Sequence, residues 1–143
     1  MGKDKKAIFL LFFIFITVNL FCQSLKGTED RNNDGKPDRW IYVKSDGSYI
    51  IESDNNYDGK IDYILETDKL GNKVYEAMDF GYTGKMNNFY YYKNGALERQ
   101  EIDSNNDGKI DIWIYLEKGI YITKIERDTK HTGVIDYVKV YKK

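Results

Sequence analysis

Asp103-Ser-Asn105-Asn-Asp107-Gly108-Lys109-Ile-Asp111 decides how this chain is read, because the same nine-residue pattern occurs elsewhere. Asp30-Arg-Asn32-Asn-Asp34-Gly35-Lys36-Pro-Asp38 and Asp54-Asn-Asn56-Tyr-Asp58-Gly59-Lys60-Ile-Asp62 share the form D-x-N-x-D-G-K-x-D. The starts at 30, 54 and 103 leave room for one more copy, and a degenerate one begins at Asp79 and runs to Asn87. A fifth runs from Asp128 to Asp136, so starts at 30, 54, 79, 103 and 128 give a period of 24 or 25 residues. Such a period belongs to repeat architectures.

The segments between the loops repeat as well. Each loop is followed by a short run rich in aromatic and β-branched residues: Trp40–Val43, Tyr63–Leu65, Phe89–Tyr92, Ile112–Leu116 and Tyr137–Tyr141. Runs of this length and composition predict strands. Alternation in the fourth copy places Ile112, Ile114 and Leu116 on one face, with Trp113 and Tyr115 on the other. A glycine turn then follows at Asp46-Gly47, Leu70-Gly71, Asn94-Gly95 and Lys118-Gly119. Asn-Gly and Asp-Gly favour hairpins, because a type I′ turn needs positive φ at both central residues. A second extended stretch leads into the next loop, as in Ser48–Ser53 and Ile120–Arg127.

The expected fold is therefore all-β: an antiparallel meander of about nine or ten short strands built from five hairpin repeats. A curled sheet, a solenoid-like stack and a partial propeller all satisfy the pattern. In a meander the glycine turns line one end of the sheet and the Asp-rich loops the other. Neighbouring loops are expected about two strand spacings apart, roughly 10 Å.

Residues 1 to 24 read as a removable leader, and residues 25 to 143 as the repeat domain. A basic stretch, Met1–Lys6, precedes the apolar run Ala7–Phe21. That run is short for a membrane span, which needs about 20 residues, and its position and charge fit an export signal. Cys22 and Ser24 suit cleavage before Leu25. Alternatively Cys22, just after the apolar run, resembles the lipidated cysteine of bacterial lipoproteins, although Phe21 stands where that family has a small residue. The expected location is outside the cytoplasm: secreted, periplasmic or on the cell surface, with contact to a membrane only through a lipid on Cys22.

Composition narrows the chemistry. A net charge of −1 argues against a basic nucleic-acid-binding face, and thirteen Tyr, seven Phe and two Trp argue against disorder. One Cys and one His exclude a disulfide framework and leave the usual zinc or copper ligands nearly absent. No phosphate cradle, nucleophile motif or zinc-helix pattern occurs, so no enzymatic activity is expected. His131 reads as an exposed loop residue without an identifiable partner. Glu52, Glu101 and Glu126, each two residues before a loop, read as strand positions or as partners of loop ligands.

Carboxylates and amides are what remain, and the loops concentrate them. Calcium takes six to eight oxygens, typically from Asp, Asn and backbone carbonyls. A D-x-N-x-D-G series presents side-chain oxygens at positions 1, 3 and 5, a turn-permitting Gly at 6, and a carbonyl at 7. Position 12, where an EF-hand has Glu, is Ile41, Leu65 or Ile114, so these loops are not EF-hands. Polar turns without metal are the plainer reading of any single such loop. Three copies in register, with Asp also at position 9, favour calcium.

The nine-residue loops and the strand after each resemble the calcium loops of FG-GAP and VCBS repeats, known from integrin-type β-propellers. The resemblance implies a first ion on Asp30, Asn32, Asp34 and Asp38, with the Lys36 backbone oxygen. It implies a second on Asp54, Asn56, Asp58, Lys60 and Asp62, and a third on Asp103, Asn105, Asp107, Lys109 and Asp111. The period departs from that family, since a four-stranded blade would consume two of these units. The loops at 79 and 128 have lost two or more of the ligand residues, with Gly81, Thr83 and Asn87 in the first and Lys130 and Thr132 in the second, and are expected to be metal-free. With a dissociation constant near 10⁻⁴ M and about 1 mM calcium, each site would contribute roughly 1.4 kcal/mol, and three about 4 kcal/mol.

The expected function is accordingly an exported, calcium-binding β-repeat protein with a structural or interaction role at the cell envelope, whose partner is an envelope or extracellular protein or glycan. A carbohydrate- or matrix-binding module using Trp40, Tyr42, Phe89, Tyr91, Trp113 and Tyr115 is the alternative. A subunit of a larger closed β-assembly is a third reading, since an open meander exposes its edges.

Overall fold

The computed structural model describes residues 23–142. The leader through Cys22, and with it the choice between cleavage and lipidation, lies outside the described residues. Ten strands follow one another: β1 (Gln23–Glu29), β2 (Arg39–Lys44), β3 (Tyr49–Ser53), β4 (Tyr63–Thr67) and β5 (Lys73–Met78) come first. β6 (Asn88–Lys93), β7 (Ala96–Ile102), β8 (Ile112–Glu117), β9 (Tyr121–Arg127) and β10 (Tyr137–Val140) complete the series. All ten belong to one antiparallel sheet in sequence order, and among the described residues there is no helix. The sheet is open and is not divided into four-stranded blades. β1 is a strand the sequence reading did not mark, and it starts at Gln23, two residues inside the expected leader.

Turn chemistry follows the residues that precede each glycine. Asn94-Gly95 and Lys118-Gly119 have positive φ at both positions, as a type I′ hairpin requires. At Asp46-Gly47 and Leu70-Gly71 only the glycine is left-handed, so these two turns depart from the type I′ expectation. Side chains account for the difference: Asp46 Oδ1 accepts the Ser48 N–H and Oγ–H, and Asp68 Oδ1 accepts the N–H groups of Leu70 and Asn72. An Asp side chain, Asp46 inside one turn and Asp68 at the start of the other, satisfies the donors of a longer loop that a tight two-residue turn would not contain.

Register assigns the two faces. Across the sheet Trp40 lies opposite Glu52, Ile64 opposite Ala77, Ala77 opposite Phe89, and Trp113 opposite Glu101 and Glu126. The neighbouring row on that face runs through Tyr42, Ile50, Glu66, Tyr75, Tyr91, Arg99, Tyr115 and Lys124. Ile41, Ile51, Leu65, Glu76, Tyr90, Gln100, Ile114 and Ile125 form the central row of the opposite face.

Among the described residues no second layer covers either face. Ala77 is the one apolar side chain, among the described residues, that is buried, at 1% exposure; every other apolar strand residue is half-buried or exposed. Cross-strand contacts therefore take the place of a core. Glu76 shows how: in a row that otherwise carries Ile, Leu, Tyr and Gln, it is buried under the hydroxyls of Tyr63 and Tyr92 and the Lys73 ammonium. Burial pushes its carboxyl up, but the three donors outweigh that and hold it below the usual value.

Candidate functional site

Most of the deeply buried side chains lie at the loop end. The position-1 carboxylates Asp54, Asp79, Asp103 and Asp128 and the position-9 groups Asp38, Asp62, Asn87 and Asp111 are all buried. A buried carboxylate needs hydrogen-bond donors, and the loop backbone supplies them. Asp54 accepts the N–H groups of Asp58 and Gly59, at 3.2 and 2.7 Å. Asp103 accepts those of Asp107 and Gly108, at 3.2 and 2.7 Å, and Asp30 those of Asp34 and Gly35, at 3.2 and 2.9 Å. Residue 4 of each loop (Asn33, Tyr57, Tyr82, Asn106, His131) and its Gly at position 6 are left-handed, so all five copies share one backbone course.

Position 9 closes the loop from its other side. Asp38, Asp62 and Asp111 accept the N–H of Arg31, Asn55 and Ser104, at 2.7, 2.8 and 3.0 Å. Asp38 and Asp62 also accept the N–H of Asn32 and Asn56. The second oxygen of Asp62 takes the Asn55 amide, and that of Asp111 the Ser104 hydroxyl. These position-9 carboxylates face the loop entry.

Positions 3 and 5 behave differently. Asn32 Oδ1 meets Asp30 Oδ1 at a shared donor, the Asp34 N–H, at 2.9 and 3.2 Å. The same meeting occurs for Asn56 with Asp54 at Asp58 N, and for Asn105 with Asp103 at Asp107 N. Position 5 then turns its own Oδ1 to the N–H of position 7: Lys36, Lys60 and Lys109, at 2.8, 2.9 and 2.9 Å. Asp107 is held below the usual carboxylate range, first by the Asn105 amide and then by the Lys109 N–H. Among the described residues no group of three or more His, Cys, Asp or Glu gathers to hold a metal. A loop's three carboxylates are not brought to one centre; the oxygens of positions 1 and 3 are.

The loops also touch one another. Asp54 N–H donates to the Asp38 carbonyl at 2.8 Å, and Asp79 to Asp62, Asp103 to Asn87 and Asp128 to Asp111 repeat the bond at 2.8 to 2.9 Å. The expected gap of roughly two strand spacings between loops is thus bridged directly, because position 9 begins one strand and the next position 1 ends its neighbour. Arg31 reaches the Asp54 carbonyl and Asn55, and Asn87 reaches Asn106.

His131 makes the corresponding contact in the last loop. Its Nδ1 lies 3.1 Å from Asp111 Oδ2, so the residue read as partnerless has a partner. The pairing spans twenty residues and depends on loop stacking, which no local pattern announces. Asp111 thereby joins Ser104, His131 and the Ser104 N–H on one carboxylate, with a hollow of about 220 Å³ beside it. Ser104 contacts Asp111 and not the imidazole, so this is no nucleophile–base pair.

On the sheet, Glu101 and Glu126 occupy strand positions and accept the phenol hydroxyls of Tyr91 and Tyr115, at 3.0 and 2.8 Å. Glu52 stands in the same relation to Tyr42. Burial first, then the paired carboxylate, pushes all three phenols up. Trp40, Tyr42, Phe89, Tyr91, Trp113 and Tyr115 share one face and are each half-buried. The aromatic pairs sit on β2, β6 and β8; the strands between them carry Ile50 and Glu52, Ile64 and Glu66, Tyr75 and Ala77, and Arg99 and Glu101 in the equivalent places. A groove of about 280 Å³ beside Tyr75, Phe89 and Tyr91 is roofed by Met86 and Ile110, the eighth residues of two loops.

No family model and no curated protein matches the chain. Among solved structures, one of accessory secretory proteins 1, 2 and 3 from Streptococcus pneumoniae is similar at 16% identity and a TM-score of 0.45. The match covers 82% of this chain and 21% of that chain.

Proposed function

We propose that this protein is an exported β-repeat scaffold that acts through interaction at the cell envelope, and that its three intact loops bind calcium. The single observation behind the scaffold reading is that a ten-stranded sheet buries one apolar side chain, Ala77, and leaves both faces accessible. A sheet of this kind offers extended surface and little enclosed volume, which suits binding rather than chemistry.

For calcium, the support is the meeting of position-1 and position-3 oxygens in all three intact loops, with an accessible carboxylate at position 5. The donor set narrows relative to the family resemblance. Asp30, Asn32, Asp34 and the Lys36 carbonyl, with their counterparts at 54–60 and 103–109, would hold the ion. Asp38, Asp62 and Asp111 would hold the loop. When bound, the cation would offset the charge that each loop's three carboxylates carry. Calorimetric titration of the protein with calcium tests this. Three sites are expected, with Asp58→Ala removing one; the absence of binding heat at millimolar calcium would remove the metal from the function.

The shared face of the six rings favours a second reading, a carbohydrate- or matrix-binding module. Aromatic faces stack on sugar rings and cations with modest energies that add along a row. A glycan array without a hit in the presence of calcium would set this reading aside.

A further inference from the structure

We propose that the outer edges of β1 and β10 dock on second copies of this chain, head to tail, so that sheets join in repeat register. Inside the chain, every step from a post-loop strand to the next pre-loop strand carries the same backbone bond, from position 1 of one loop to position 9 of the one before. Asp54 to Asp38, Asp79 to Asp62, Asp103 to Asn87 and Asp128 to Asp111 are the four examples. Two groups of that series have no such bond among the described residues: the Asp30 N–H and the Asp136 carbonyl. They are the two halves of the same step.

The strands beside them present matching groups. Tyr141 N–H donates inward to the Thr123 carbonyl, so alternation turns the N–H and C=O of Val138 and Val140 outward. Glu29 C=O accepts the Asp38 N–H, which turns the polar groups of Thr28 outward in the same way. β10 is a post-loop strand like β8, and β1 is a pre-loop strand like β9. Transferring the β8–β9 register, in which Trp113 faces Glu126 and Tyr115 faces Lys124, sets Val138 opposite the second copy's Thr28. Asp136 then meets the second copy's Asp30, and Lys139 lies diagonal to its Glu29, an opposite-charge pair.

The contact uses two different surfaces, so it does not close on itself in a dimer, and each added copy renews both edges. This inference does not rest on the calcium reading, since Asp30 and Asp136 act through their backbones. Nor does it require either face of the sheet to be covered.

Sedimentation velocity of the full chain in mild detergent, with two edge variants, tests it. Val138→Pro removes an outward N–H from β10, and Thr28→Pro removes one from β1; among the described residues neither donor serves the chain's own sheet. Wild-type protein is expected to form a concentration-dependent ladder of species, while each variant alone sediments as a monomer. Mixed together, the two variants should stop at a dimer of about twice the monomer mass, since each retains the edge the other lacks. Amide exchange on wild-type protein gives an independent reading: the Thr28, Asp30 and Val138 amides should slow as concentration rises. A wild-type chain that stays monomeric, association that both variants retain, or exchange at those amides that ignores concentration would each overturn the proposal.

Discussion

The loop at 103 and the loop at 79 follow the same backbone course with different side chains. Both open on a buried Asp that accepts the N–H of the position-6 glycine, at 2.7 Å in one and 2.6 Å in the other. Both close on a position-9 acceptor for the N–H of position 2, Asp111 for Ser104 and Asn87 for Phe80. Only the loop at 103 keeps Asn at position 3 and Asp at position 5; the loop at 79 has Gly81 and Thr83. Positions 1, 6 and 9 therefore suffice for the bend, and the further backbone acceptors that Asn105 and Asp107 supply at positions 3 and 5 are not needed for it. The copy at 79, without Asn at position 3 and Asp at position 5, keeps the same left-handed residues at positions 4 and 6.

Removing a position-1 carboxylate should have the largest effect and should not respect the division between the two loop classes. Asp103→Ala and Asp79→Ala each remove the acceptor of two or three part-buried loop hydrogen bonds, at about 0.5–1.5 kcal/mol per bond. Urea unfolding should show losses of about 2–4 kcal/mol for both. A much smaller loss at Asp79 would mean that its loop is held by other forces.

Glycine at position 6 comes next. Gly59 and Gly84 have φ of +88° and +85°, and a side chain there is strained. Gly59→Ala should cost about 1–2 kcal/mol by the same unfolding measurement. At Gly84 a Cβ would also come within 2.9 Å of Lys60 Cδ, a flexible chain end that can move, so a similar loss is expected.

Calcium should separate the classes. In about 1 mM calcium, Asp107→Ala should lose roughly 1.4 kcal/mol of ligand-linked stability that Thr83→Ala does not lose, and chelator should abolish the difference. Thermal melts with and without chelator read this directly. Equal responses from the two variants would assign positions 3 and 5 another role.

Acid gives the smallest contrast, because both classes use carboxylates. Asp79 feels burial raising its pKa, but the N–H groups of Thr83, Gly84, Lys85 and Gly81 outweigh it and leave it below the usual value. A depressed folded-state pKa contributes stability that is complete above the unfolded value of about 3.9 and is lost as pH falls through the folded one. Stability should therefore decline below about pH 4, and Asp79→Asn should flatten that decline in acid titrations followed by fluorescence.

Much of the architecture was legible because it is local. The interactions that shape each bend lie within nine residues, so a repeated D-x-N-x-D-G marked where the chain turns before any contact was known. The alternation of Ile112, Ile114 and Leu116 against Trp113 and Tyr115 likewise named the two faces correctly. One role of position 9 was not legible: an Asp there reads as a cation ligand, and its hydrogen bonds from the N–H groups of Arg31, Asn55 and Ser104 come to light only with the folded loop. Asn87 is the informative case, since it keeps the acceptor and drops the charge. β1 escaped notice because no loop precedes it to set its phase.

Sequence alone determined the period, the strand order and the places where glycine is needed, since each depends on neighbours a few residues apart and on the short reach of a hydrogen bond. Tertiary structure alone decided that the sheet stays a single open layer, that His131 meets Asp111, and that Glu76 is buried beneath two tyrosines. Those outcomes depend on which strands lie side by side. That lateral pairing is a sum of many weak contacts between residues far apart in the chain, and no single stretch of it carries the total.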